Sequence, residues 1–399
     1  MTATNSLPTL PQELVDMVID YLHKDTKALV SCSLVARSWA PSSHYHLFYE
    51  IQLGRADTKE GSQFLQLLEK SISLRESVRV VLLWGASICV CPDALLSLLN
   101  SFPNLHSLRM YGVTCKYTPG KFVQWTRARK LRRLELSGFE ALRGEIVNTM
   151  AFFSRVPVDE LLLGDWEVLP ISLHQALREI LPCDSMEEHL HSWEVASLSF
   201  MDNVPPVALE IARPAIAPQS LRSLNASEQT AWAMPQSFAA LLADVGPYLT
   251  HLRLDLTGIY TRSSEDLGRS LTRCTSLRSL HLFVSADVFY DRFASVTVAT
   301  AAFPDCLLQY APPTLRTVTL GFGIDYDGSF VKYWADIVNW AQLEEQLLSF
   351  RALHTVRFVM EMPCPAIFTE PRLEPMADGQ RDLIIKSLPK LHAAGKVLV

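Results

Sequence analysis

The sequence predicts an α/β protein: a small unit of three short helices, then a long array of parallel strands joined by helical connections. Two observations carry that prediction. A six-residue pattern of apolar, two variable, apolar, one variable, apolar returns ten times from residue 78 onward, whereas the first fifty residues space their apolar side chains by threes and fours. Composition permits such a fold, since 399 residues with 49% hydrophobic and 20% charged side chains can bury a large core; disordered, collagen-like and fibrous classes are set aside. Length alone suggests two to four domains at ~100 to 200 residues each, a division that loses its meaning in a repeat array.

The helical unit comes first. Leu7 to Pro11 contains two prolines, and Glu13 to Leu22 then places Leu14, Val15, Val18, Ile19 and Leu22 at spacings of three and four. That is one apolar face of a helix opened just after a proline, with Glu13 in its first turn. A polar break at His23 to Lys27 precedes Ala28, Leu29, Cys32, Ser33, Leu34 and Val35. A third segment carries Trp39, Tyr45, Leu47 and Phe48. Three short helices bury little by themselves, so the unit needs a neighbour or a partner.

These residues resemble the F-box: Leu10-Pro11-x-Glu13-Leu14, Val18, Tyr21-Leu22, Ala28-Leu29 and Ser33-Leu34-Val35-x-Arg37-x-Trp39. The ordered combination is far more specific than any one pair, and LPQELVDMVIDYL followed by HLFYEIQL is similar to the F-box proteins abundant in mushroom-forming fungi. Ala36 departs from the family, which often has cysteine there, but both residues are small. The resemblance covers residues 7–48. It implies binding to the Skp1 adaptor of a cullin-RING ubiquitin ligase through Leu10, Pro11, Leu14, Val18, Leu22, Leu29 and Val35, with Trp39 holding the third helix. Residues 49–77 are expected to form a linker and the first helical connection, and residues 78–399 the repeat array.

The ten copies are Val78-Val81-Leu83, Leu105-Leu108-Met110, Leu131-Leu134-Leu136, Val158-Leu161-Leu163, Val195-Leu198-Phe200, Leu221-Leu224-Ala226, Leu249-Leu252-Leu254, Leu277-Leu280-Leu282, Leu315-Val318-Leu320 and Leu353-Val356-Phe358. Ala394-Val397-Val399 is a candidate eleventh. Their spacing, mostly 26 to 28 residues with several longer intervals, resembles degenerate leucine-rich repeats. That resemblance implies a horseshoe solenoid whose parallel strands line a concave face, with positions one, four and six of each copy in the core. The Asn or Cys that usually ties the following turn is absent: Ala86, Val113, Gly323 and Glu361 are among the residues in those slots.

Apolar runs between copies predict the opposite, helical layer. They include Ala94-Leu95-Leu98-Leu99 behind Pro92 and Phe238-Leu241-Leu242 behind Pro235. Four prolines, at 205, 206, 214 and 218, predict an irregular connection over 201–220, and residues 361–379 read as a loop near the C-terminal end.

Catalytic constellations are not found. Cys89-x-Cys91 has no second pair at zinc spacing, and His189-x-His191 beside Glu187 and Glu188 reads as an exposed polar connection rather than a metal site. Gly321-x-Gly323 follows a strand but lacks the third glycine of a dinucleotide loop, and it reads as a turn. No nucleophile elbow or phosphate loop occurs, so neither a cofactor, a resident metal nor an enzyme is expected. The eight cysteines read mostly as small buried hydrophobes in a reducing compartment. With no signal-like N-terminus and no long apolar run, the expected location is cytoplasmic or nuclear, with no membrane partner.

Charge is distributed more sharply than the net value of -6 suggests. The thirty variable positions of the ten copies hold nine arginines, Arg79, Arg109, Arg132, Arg133, Arg222, Arg253, Arg278, Arg316 and Arg357. Only Glu135, Asp159 and Glu160 oppose them. That face would carry about +6 and the remainder about -12. An arginine-lined strand face suits an acidic or phosphorylated protein segment, because guanidinium groups present paired donors; His106, His251, His281 and His354 could add charge in mild acid. The absence of aromatic residues at these positions argues against nucleic acid. The sequence therefore predicts a non-catalytic substrate receptor of a Skp1-cullin-F-box ligase. The alternative is an interaction protein that binds Skp1 without delivering a target for ubiquitylation.

Overall fold

A computed structural model describes residues 10–54, 66–68, 70–115, 130–138, 140–141, 149–164, 167–168, 193–201, 204, 206–227, 235–256, 267–284, 307–323, 338–362 and 372–399. The chain divides into two compact units, the first essentially residues 1–158 and the second essentially 159–399.

In the first unit, α1 (Gln12–Tyr21), α2 (Thr26–Val35) and α3 (Ala40–Leu47) form a small bundle. The Asp25 side chain caps α2 by accepting from the Ala28 amide at 3.0 Å, which fixes where that helix starts. Val15, Ile19 and Leu29 form the core, packed by Leu22, Cys32, Trp39 and Leu47. The polar side of α1 ties it to α3: Ser42 donates to the Asp16 carboxylate and His46 lies 2.7 Å from that of Asp20. Hydrogen bonds from Ser42 and then Gln12 hold the Asp16 carboxyl below its usual range.

A parallel sheet follows, β1 (Glu50–Leu53), β2 (Val80–Val90), β3 (Ser107–Cys115) and β4 (Leu131–Ser137), with α4 (Ile72–Ser77) and α5 (Pro92–Asn100) in the connections. Its first strand lies inside the stretch expected to be linker. Ile51 aligns with Val81, so Phe48-x-x-Ile51-x-Leu53 is a further copy of the repeat, directly joined to α3.

The second unit repeats the plan. Strands β5 (Val158–Gly164), β6 (Ser197–Phe200), β7 (Ser223–Ala226), β8 (His251–Asp255), β9 (Ser279–Val284), β10 (Thr317–Gly323) and β11 (Thr355–Met362) pair in parallel, each with the next. Their fourth-position residues form one ladder, Leu161, Leu198, Leu224, Leu252, Leu280, Val318 and Val356. All thirty apolar positions of the ten copies are buried. Side chains alternate across a strand, so positions four and six enter the core while three and five face the other way. The eleventh copy keeps register, Val397 pairing with Val356 in the short strand β13 (Val397–Leu398), although Ala394 is exposed. The described chain is thus an α/β architecture in which N-terminal helices precede repeating parallel strands of leucine-rich-repeat type.

Three expectations are corrected. Residues 206–215, within the supposed irregular connection, form α6 (Pro206–Ala215). Pro206 opens it, where a missing amide costs nothing, and Pro214 sits in its last turn; buried Leu209, Ala212 and Ala215 supply the face that holds it on the strands. Ala86, Val113, Gly323 and Glu361 lie within strands, so no turn exists there to be tied. The supposed C-terminal loop contains the end of β11 and an antiparallel strand, β12 (Arg372–Glu374), paired with it. His189, His191, Glu187 and Glu188 lie outside the described residues, as do Phe139 and Trp166.

Candidate functional site

The helical unit exposes a second apolar face. Besides its buried stripe of Val15 and Ile19, α1 carries Leu14, Met17, Val18 and Tyr21 outward at spacings of three and four, with Leu10 and Pro11 just before it. Val30, Leu34 and Val35 add to the exposed apolar surface on α2. Leu10, Leu14, Val18, Leu34 and Val35 are between 47% and 82% exposed. A helix with two apolar stripes buries one in its own bundle and leaves the other for a partner. Leu22 is only half-buried against the bundle, whereas Leu29 is 2% exposed at its centre and cannot touch a partner. Met17, Tyr21, Val30 and Leu34 are exposed apolar residues beside the expected contacts, and the helical period that marks Leu14 and Val18 also reaches Met17 and Tyr21.

The nine arginines do not form one field. In the first unit, Arg133 approaches the Glu135 carboxylate at 3.3 Å and Arg109 lies 3.8 Å from it, with Glu135 wholly buried in the sheet face. Arg79 lies over the Tyr45 ring of α3, 5.5 Å from its centre, and donates to the Glu76 carbonyl. It locks the bundle to the sheet rather than facing a ligand. Arg132 is exposed beside His106; burial, with the charges of Arg132 and Arg79 adding to it, pushes that imidazole below its ordinary range. His106 is therefore not the mild-acid charge its place in the repeat suggested, and its Nε2 meets the Tyr49 hydroxyl at 3.2 Å.

In the second unit, Glu361 of β11 reaches across β10 to lie 2.8 Å from His281 of β9, off the line of an ideal hydrogen bond, and meets the long side chain of Arg253, from β8 one strand further along, at 2.5 Å. Gly321 of β10 makes the passage: a Cβ there would lie 2.7 Å from His281 Nε2 and 2.8 Å from Glu361 Oε1. The glycine read as a turn is instead a gap in the sheet face. Arg253 also covers the Phe283 ring at 5.6 Å. Burial alone would raise the Glu361 carboxyl, but the hydrogen bond from His281 and the charge of Arg253 hold it below its usual range. Arg357 is exposed, and Arg222, Arg278 and Arg316 come together along the edge where the strands begin.

Among the described residues, no group of three or more His, Cys, Asp or Glu side chains could hold a metal ion, and no helix is long and apolar enough to cross a membrane. Cys274 is buried, which pushes its thiol up to about 12. Iodoacetamide at pH 8 is expected to alkylate exposed Cys91 in the native chain and spare Cys274. Peptide mapping checks this, and a rapidly labelled Cys274 would mean that the stack opens around it.

No protein-family model matches the chain, and no curated protein matches it. Among solved structures, it is similar to the leucine-rich repeat-containing protein LegL7 from Legionella pneumophila. That match has 16% identity, a TM-score of 0.45, and covers 86% of this chain and 98% of the other.

Proposed function

We propose that this chain is a substrate-recognition subunit of a Skp1-cullin-F-box ubiquitin ligase. Residues 7–48 bind Skp1, and the repeat array from residue 78 holds a protein target. The observation that carries this reading is the unpartnered apolar face of Leu10, Leu14, Val18, Leu34 and Val35, on a unit that already has a separate core. An exposed face of this kind on a soluble helical unit is a docking surface for an apolar partner. The resemblance to the F-box names that partner as Skp1. The chain contributes proximity and orientation, and the chemistry belongs to the ubiquitin-loaded enzyme that the complex supplies.

The full chain should capture purified Skp1, and Skp1 should bring its cullin. Leu14→Asp with Leu34→Asp is expected to weaken Skp1 capture by at least about thirtyfold, because two charges enter an apolar interface without partners. Thermal unfolding should stay as in the parent, since both side chains are exposed. Undiminished capture by the double variant would rule out this face. Capture of Skp1 without cullin would instead favour an interaction protein outside a ligase.

A further inference from the structure

The strand edge of the second unit holds an open groove of about 600 Å³, with Arg222, Arg278 and Arg316 in its wall. Its lining also includes Tyr248, Thr250, Thr275, Ser276 and Thr314 and, among the described residues, no carboxylate. The repeat explains why the arginines converge. Each occupies the second position of its copy, so register stacks Arg222, Thr250, Arg278 and Arg316 on four successive copies; the Thr250, Arg278 and Arg316 amides donate to the carbonyls of Arg222, Thr250 and Arg278 in turn. Neighbouring strands lie about 4.8 Å apart, which sets Arg278 and Arg316 side by side and Arg222 two strands away from Arg278.

These three arginines differ from those of the sheet face. Arg109 and Arg133 share the buried carboxylate of Glu135, and Arg253 pairs with that of Glu361. Arg278 and Arg316 are exposed and, among the described residues, their guanidinium groups have no carboxylate partner. Among the described residues, Arg222 donates to the carbonyls of Gln219 and Leu221, neutral acceptors that leave its charge uncancelled. Thr250 and Thr314 spend their hydroxyl protons on backbone carbonyls, and those bonds brace the groove wall.

We propose that this groove binds a phosphomonoester dianion, with Arg278 and Arg316 gripping one phosphoryl group and Arg222 a second negative charge along the same ligand. The chemistry selects the phosphoryl group over a carboxylate. Two adjacent guanidinium groups carry two positive charges, which one carboxylate only half balances, whereas three phosphoryl oxygens and a charge near -2 match both the forks and their charge. A nucleic-acid strand is disfavoured because its affinity depends on neutralising many phosphates, and three arginines on a chain of net charge -6 supply few. The inference deepens the receptor reading by naming a phosphorylated segment as the target's mark. It is tested on the chain alone, so loss of Skp1 binding would not affect it.

The experiment measures fluorescence anisotropy of the full chain with a degenerate phosphothreonine peptide pool and with the same pool unphosphorylated. The phosphorylated pool should bind at least tenfold more tightly. Arg278→Glu with Arg316→Glu should bring the two pools within about twofold, Arg278→Lys with Arg316→Lys should keep part of the preference, and Arg381→Glu, an exposed charge change on another element, should keep all of it. No preference in the parent, or equal loss in Arg381→Glu, overturns the proposal, as does an oligo-thymidine strand that binds more tightly than the phosphorylated pool. Inorganic phosphate should compete only weakly; if it binds more tightly than the peptides, the peptide source is overturned and a small phosphate ester takes its place.

Discussion

Glu361→Gln should destabilise the second unit by about 2 to 3 kcal/mol at neutral pH. Breaking a fully buried pair by removing one partner costs about 3 to 5 kcal/mol, and the loss here falls at or below the low end of that range because the Arg253 side chain keeps 26% of its surface in water while that of Glu361 keeps 1%. The carboxylate ties β11 to β9 across β10 and to β8 across β9 and β10, so its loss removes a fastening between strands that are not neighbours. The effect should depend on pH in one direction. Because the folded carboxyl sits below its ordinary value of 4.5, its contribution is complete above that value and fades as pH falls through the lower folded value. Urea unfolding at pH 7, 4.5 and 3.5 should therefore show parent and variant converging only on the acid side. A difference that stays constant with pH would show that the titrating contact is not what the substitution removed. Gly321→Ala should act on the same contact, since its Cβ would occupy the space the carboxylate crosses. Combined with Glu361→Gln, it should cost less than the two separate losses together.

That cluster also shows where sequence reading stops. The repeat period located all thirty core positions, because alternation along a strand is a local property that residues six apart already express. It also contained β1, in Phe48-x-x-Ile51-x-Leu53, which was hidden by its direct junction with α3. The partners of the arginines were not local. Glu361 stands 108 residues from Arg253 and three places beyond the six-residue window, and only the sideways order of the strands brings them together. The supposed basic face is therefore partly offset by buried carboxylates at Arg109, Arg133 and Arg253, while the rim arginines meet no carboxylate among the described residues. Prolines misled for a different reason. Proline breaks a helix only away from its first turn, and the apolar positions 209, 212 and 215 outweigh it in α6.

Leu29→Asp and Leu34→Asp, five residues apart on α2, should fail in different ways. Leu29 sits between Val15 and Ile19 with Leu22, Cys32, Trp39 and Leu47 around it, and a carboxylate there has no charged or hydrogen-bonding partner. Truncating a buried leucine costs about 2 to 5 kcal/mol, and burying an unpaired charge costs more. A bundle of three short helices has little stability to lose, so residues 10–47 should unfold. Leu34 is 82% exposed, and its replacement should leave the bundle folded while weakening the proposed capture of Skp1 by roughly tenfold or more. Limited proteolysis separates the two: Leu29→Asp should open cleavage sites within α1 to α3, and Leu34→Asp should give the parent's pattern. Parent-like resistance in Leu29→Asp would contradict the core assigned here. New cleavage in Leu34→Asp would mean that its exposed face supports the fold, and the case for a docking surface would lose the separation between core and contact on which it stands.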